Sequence, residues 1–374
     1  MIEWFAETKD SDMQTLLKIS FLLFSCIILS NCSSGKFKNI IGCKSDDVLQ
    51  VYCGFQNPED IVVLPDNKHL LVSEFGAITP ISPKTIFGNL SLLDTETGEK
   101  KSLNITLGES EWGDSDCKRE SLEFSPHGID FTTRIDGRYQ LGIVNHLPEE
   151  TIEMFELIKR DSLWELQWKG CAQAPEKAYF NDLALKRDGS FYASHMYDID
   201  LSYWTLLFIS FTKPETGFVY EWNQLNGFSK LANTEGSFPN GIELSLDEKN
   251  LFINYVFDYK TSKFNLETLE VETHHLSTGS PDNSHIVEDF IWVATQDFSG
   301  LDLMFCDETV IQCPLPFTIF KLRQSDLSEV MKISFKDTVM GVATVAVPLR
   351  NKLWMGSFHG DRVVSYDIDL EEEG

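Results

Sequence analysis

Six times along the chain a short polar anchor opens an apolar run with the character of a β-strand. The anchors are Pro58-Glu59-Asp60-Ile61, Pro126-His127-Gly128-Ile129, Phe180-Asn181-Asp182-Leu183, Pro239-Asn240-Gly241-Ile242, Pro281-Asp282-Asn283-Ser284 and Gly341-Val342-Ala343-Thr344. A turn and a second apolar run usually follow, as in Val62-Val63-Leu64-Pro65-Asp66-Asn67-Lys68-His69-Leu70-Leu71-Val72. Glu243-Leu244-Ser245-Leu246-Asp247-Glu248-Lys249-Asn250-Leu251-Phe252-Ile253 repeats that pattern. Between these runs lie turn segments such as Arg187-Asp188-Gly189-Ser190, with almost no helical periodicity, and the chain is therefore predicted to be all-β. The best helical candidate, Asp200 to Phe211, fits a buried strand equally well.

Repetition on a scale of roughly 40–60 residues predicts radial architecture, a β-propeller, in place of two independent domains. In such a ring the innermost strand of each blade starts near one mouth of the central channel. The polar residues opening the repeats then converge, while the apolar ones after them pack between blades. The anchors supply Glu, Asp and Asn oxygens and one His, a donor set suited to a hard cation. Unpaired carboxylates in a narrow channel are costly, which makes a cation their natural partner.

The net charge of −27 argues against nucleic acid or anionic membrane surfaces as partners. The amino terminus carries a processing signal, with Lys18 preceding the apolar run Ile19 to Leu29. That run is shorter than the about 20 residues a membrane-spanning helix needs. Leu29-Ser30-Asn31-Cys32 resembles a bacterial lipobox, although Asn31 departs from the small residue usual there. The acidic stretch before Met13 leaves Met1 and Met13 as alternative starts. Residues 1–32 are thus expected to be a lipoprotein-type signal, 33–48 a tether, and 49–374 the propeller. The expected location is a bacterial envelope, periplasm or outer membrane, with a lipid anchor at Cys32.

Six cysteines remain in the mature body: Cys43, Cys53, Cys117, Cys171, Cys306 and Cys313. An even number in an exported chain is compatible with disulfides. Cys43 with Cys53, and Cys306 with Cys313, are near enough to staple local loops, but spacing alone leaves the pairing open.

Taken in order, the anchors resemble the paraoxonase family of calcium-dependent lactonases and arylesterases, which are six-bladed propellers. Pro58-Glu59-Asp60, Pro126-His127-Gly128-Ile129, Val144-Asn145-His146, Asn181-Asp182, Asn240-Gly241 and Asp282-Asn283 carry the likeness, which runs from about Phe55 to the end. Each dipeptide alone is ordinary turn material; their shared order and spacing carry the weight. The resemblance implies an all-β, six-bladed β-propeller with a central calcium site and two ions. Glu59, Asn181, Asn240, Asp282 and Asn283 would hold the catalytic ion. Asp60, Asp182 and the backbone carbonyl of Ile129 would hold a structural one. It further implies His127 as general base with His146 orienting it, and calcium polarising the carbonyl of a small lactone or ester. Thr344 would be at most a wall residue. The family's disulfide to the last strand has no counterpart, since no Cys follows Cys313, so closure is expected through strand pairing.

His195, His274, His275, His285 and His359 lack such context and are read as surface or ordinary core. No Gly-x-Ser-x-Gly elbow, His-Glu-x-x-His or phosphate-binding loop is present. The alternatives are a sugar-lactone hydrolase of the gluconolactonase type and a non-catalytic, calcium-stabilised binding propeller. The latter would have no need of paired histidines. Oligomeric state is not legible here.

Overall fold

The computed structural model describes residues 40–368 apart from 77–84, 162, 300–301, 303–305 and 307–309. The expected signal segment with Cys32, and the tether before residue 40, lie outside the described residues.

The apolar runs form strands that assemble into six sheets. Their innermost strands are Pro58–Val63, Pro126–Thr133, Ala178–Leu185, Pro239–Leu244, Ser280–Val287 and Ala343–Leu349, one for each anchor. Each touches the innermost strand of the next sheet, and the last touches the first. This closed ring is a six-bladed β-propeller. Apolar positions on both faces of each strand explain the packing between blades. Val62, Leu64 and Leu71 of the first blade meet Ile129, Leu141, Ile143 and Phe155 of the second. Val345, Val347 and Trp354 of the sixth meet Ile61, Leu70 and Val72 of the first. Each such fully buried aliphatic side chain contributes about 1.5–3 kcal/mol.

At every anchor the pairing with the second strand slips. The shifts fall between Pro58 and Asp60, Pro126 and Ile129, Phe180 and Leu183, Pro239 and Ile242, Pro281 and Ser284, and Ala343 and Val345. A bulge frees backbone N–H groups from the ladder and re-aims the side chains at that point. Six bulges at one end of six inner strands therefore present polar side chains to one region.

The ring closes by strand pairing. Gln50–Cys53 lies antiparallel to Arg362–Asp367 and forms the outer strand of the sixth blade, with Val51 opposite Val364. The disulfide Cys43–Cys53 ties this strand to the segment before it. Cys306–Cys313 staples a loop, and Cys117–Cys171 joins the lead-in of the second blade to its fourth strand. The second blade has an extra, parallel outer strand, Asn104–Leu107.

The ambiguous segment is a helix, Tyr203–Thr212. Ser202 caps its start by accepting from the Thr205 N–H, and Lys213 ends it in the left-handed conformation. Ile209 packs with Tyr179, Met196, Tyr197 and Phe238, which places the helix at the anchor end of the third and fourth blades.

Candidate active site

Glu59, Asn181, Asn240, Asp282 and Asn283 come from four blades and are all buried. Asn283 Nδ2 donates to Glu59 Oε1 at 2.9 Å. Asn181 Nδ2 lies 3.5 Å from His127 Nε2, which is 3.6 Å from Glu59 Oε1. Asn240 bonds to the Asp282 carboxylate, and Gln296 Nε2 donates to Asp282 Oδ2. After these bonds four buried oxygens have no partner: Glu59 Oε2, Asn181 Oδ1, Asn240 Oδ1 and Asn283 Oδ1. Such orphans each cost free energy unless something meets them. Here they all belong to residues chosen from sequence as ligands, and amide and carboxylate oxygens are what calcium takes. The donor set fits the ion. Among the described residues no three His, Cys, Asp or Glu side chains form a metal cluster, and three of these five donors are amides.

Close approach between blades explains two anchor glycines. A Cβ on Gly128 would meet Asp182 and sit 2.6 Å from the Asn181 carbonyl; one on Gly241 would sit 2.5 Å from the Asp282 carbonyl. Thr344 has a larger part than a wall. It is buried, and its hydroxyl donates to the Glu59 carbonyl at 2.6 Å, fixing the first anchor from the last blade.

Burial pushes the Glu59 carboxyl well above its ordinary value, with Asp60, Asp282 and Asp182 adding repulsion. Burial likewise raises Asp282 to about 7. Both shifts describe acids short of positive charge.

His127 and His146 are brought together, with His127 Nδ1 2.8 Å from His146 Nε2. Burial holds His127 well below its ordinary value, with His146 adding to the effect, and holds His146 near about 3. Both are neutral imidazoles at neutral pH. Phe75 packs against the His127 ring at 4.6 Å, and Tyr179 stacks on His146 at 4.3 Å and 8°. Beyond His146 stands Glu150, buried, with Oε2 2.8 Å from His146 Nδ1. Sequence reasoning missed it, since the loop position after Leu147-Pro148-Glu149 carries no periodic signal.

Asp60 and Asp182 share a small cavity, lined also by Ile129, Asp130, Glu243, Ser284 and His285. Asp60 accepts the Ile129 N–H at 2.7 Å, Asp182 the Ile242 N–H at 2.9 Å, and Asp130 the Leu185 N–H at 2.6 Å. Each carboxylate so ties its blade to the next. It is the amide of Ile129, not its carbonyl, that meets Asp60. Burial raises Asp60 to about 7 and Asp130 to about 8. His285, read from sequence as surface or ordinary core, instead joins this acidic chamber, 3.4 Å from Glu243. A signal for the missed members existed: Asp130, Glu243 and His285 each stand two places beyond the paired anchor residues, the next channel-facing position on a strand.

A family model described as Arylesterase matches residues 56–359, a span that contains the whole site. No curated protein matches the chain. Among solved structures, a luciferin-regenerating enzyme is 13% identical, with 87% of this chain and 97% of that one covered at a TM-score of 0.50. A putative gluconolactonase is 14% identical, with coverage of 86% and 93% and a TM-score of 0.49. The periplasmic gluconolactonase of Pseudomonas aeruginosa is 13% identical, with coverage of 84% and 82% and a TM-score of 0.48. At these identities the likeness concerns the fold and not the chemistry, and only the first superposes closely enough to support it.

Proposed function

The chain belongs to the arylesterase family, and we propose that it is a calcium-dependent hydrolase of lactones and aryl esters. The observation that carries the reading is the set of four unpartnered oxygens, Glu59 Oε2, Asn181 Oδ1, Asn240 Oδ1 and Asn283 Oδ1. With Asp282 they would hold one calcium, and Asp60, Asp182 and Ile129 a second, structural one. Bound at the first site, calcium supplies a Lewis acid for the substrate carbonyl and its developing charge.

The remaining work falls to side chains. His127 is 12% exposed at its side chain whereas His146 is 1%, so His127 is the member of the pair that meets substrate and water. Its neutral ring takes a proton from the attacking water at Nε2 and returns it to the leaving oxygen. His146, clamped by the Tyr179 ring, orients it. Phe75 and Tyr179 keep the surroundings of the imidazoles apolar, which favours aryl and acyl groups over charged substrates.

Hydrolysis of phenyl acetate and a δ-lactone, with and without EDTA, tests the reading. We expect turnover of both that is lost on chelation and restored by calcium. Activity surviving thorough chelation would remove the calcium role; no turnover by calcium-loaded protein would leave the binding propeller. Export and lipid attachment at Cys32 are proposed with it, since three disulfides suit an oxidising compartment. Loss of metabolic lipid labelling in Cys32→Ala is the expected sign, and unchanged labelling would refute it.

A further inference from the structure

We infer that Glu150 is the third member of a proton-ordering chain with His146 and His127, a positioning residue that sets both tautomers and takes the charge of the proton gained at His127. The inference rests on the hydrolytic reading above. Three contacts in series carry it. Glu150 Oε2 lies 2.8 Å from His146 Nδ1, and His146 Nε2 lies 2.8 Å from His127 Nδ1. The other Glu150 oxygen, Oε1, accepts the Phe180 N–H at 2.7 Å.

That last bond decides the direction of the chain. With Oε1 occupied by a donor, an ionised Glu150 presents Oε2 as an acceptor, so His146 keeps its proton on Nδ1. His146 Nε2 is then an acceptor, which puts the His127 proton on Nδ1. His127 Nε2, 3.5 Å from Asn181 Nδ2 and 3.6 Å from Glu59 Oε1, is left unprotonated, with a lone pair that accepts from the Asn181 amide at rest. This is the tautomer a base requires. Were Glu150 an amide with its oxygen on Phe180 N–H, its NH2 would face His146, and both rings would reverse. His127 Nε2 would carry a hydrogen and be unable to accept one.

The rings are held for this. Tyr179 lies flat on His146, and Tyr197 stacks on Tyr179 at 4.7 Å. Glu150 is 8% exposed and His146 6%, so water does not compete for either. When water yields a proton to His127 Nε2, the hydroxide adds to the carbonyl carbon. The His127 Nδ1 proton passes to His146 Nε2, and the His146 Nδ1 proton passes to Glu150 Oε2. No imidazolium persists, and Glu150 ends as a neutral acid. Collapse of the adduct runs the chain backwards, delivering the same proton to the leaving oxygen. Burial disfavours charge on His146 and raises the Glu150 carboxyl, while the Phe180 N–H favours the ionised form of Glu150 against that burial, so the carboxylate is the acceptor at rest and the place the proton reaches during turnover. The titratable groups packed against Glu150 are His146, Tyr179 and Tyr197.

Nitrogen-15 NMR of the histidine side chains in calcium-loaded protein reads the tautomers directly. We expect His127 and His146 both protonated at Nδ1 in the wild type. In Glu150→Gln both protons should move to Nε2, with kcat for phenyl acetate falling about 100-fold or more and KM and calcium affinity within about threefold. A wild-type His127 bearing hydrogen on Nε2 at the pH of maximal activity would overturn the inference without any variant. Unchanged tautomers, or a kcat loss under threefold, in Glu150→Gln would do the same. Wild-type protein that hydrolyses neither ester nor lactone would sink the hydrolytic reading instead, while the spectrum still reports on the chain.

Discussion

Asn283 donates to Glu59 across 224 residues of chain, so that the fifth blade satisfies one carboxylate oxygen of the first and leaves the other, Oε2, bare. The Asn283 Oδ1 is bare as well. Two partners that complete each other would leave nothing open; these two complete half of each other and hold the other halves out.

Glu59→Gln separates metal affinity from stability. Removing a buried charge that calcium would neutralise should raise the melting temperature in EDTA and weaken calcium binding about 10–100-fold. Calorimetric titration and melting curves in chelator give the two readouts. A variant less stable than wild type in EDTA, with unchanged calcium affinity, would contradict the assignment.

The buried acids set the pH response. Asp282 and Asp60 are raised to about 7 and Asp130 to about 8, against about 4 in the unfolded chain. Between those values the folded protein binds protons that the unfolded chain has released, so in EDTA stability falls as pH rises from about 4 to about 8. Saturating calcium favours the ionised forms and should flatten or reverse that fall. Melting scans at pH 5 and pH 8 in both conditions check it; a rise with pH in EDTA would be the wrong sign.

Thr344→Val keeps the shape of the side chain and deletes the donor to the Glu59 carbonyl. Leaving that buried acceptor unpaired should cost about 1–3 kcal/mol and loosen calcium binding with it. Chemical denaturation measures the first, and an unchanged midpoint would show that the bond carries no weight.

Cys43→Ser opens a loop spanning a sequence separation of 10 beside the strand that closes the ring. A loss of about 2–3 kcal/mol is expected. Protease resistance of the sixth blade should fall along with it, and resistance equal to wild type would mean that strand pairing alone secures the closure.

Much of this molecule was legible because its code is local and repeated. An anchor, a strand, a turn and a strand recur six times, and periodicity of that kind survives without any knowledge of partners. The same anchors supplied Glu59, Asn181, Asn240, Asp282 and Asn283, which the fold buries together, since a residue that opens an inner strand faces the axis whatever the rest of the chain does. Even the closure was foreseeable, from the lack of a cysteine after Cys313. The helix at 203–212 was not separable from a strand, because a mostly apolar stretch shows no clear period; Ile209 packs it against Tyr179 and Phe238.

The rest depended on the fold. Glu150 acquires its meaning from His146 on one side and Phe180 N–H on the other, thirty positions further along the chain. His285 and Glu243 meet only because the fourth and fifth blades adjoin. Sequence alone determined that the anchor residues face the axis, a consequence of strand alternation and repeat. Tertiary structure decided which oxygens are satisfied and which stay bare, because a hydrogen bond is settled by ångström distances between blades that no spacing along the chain encodes.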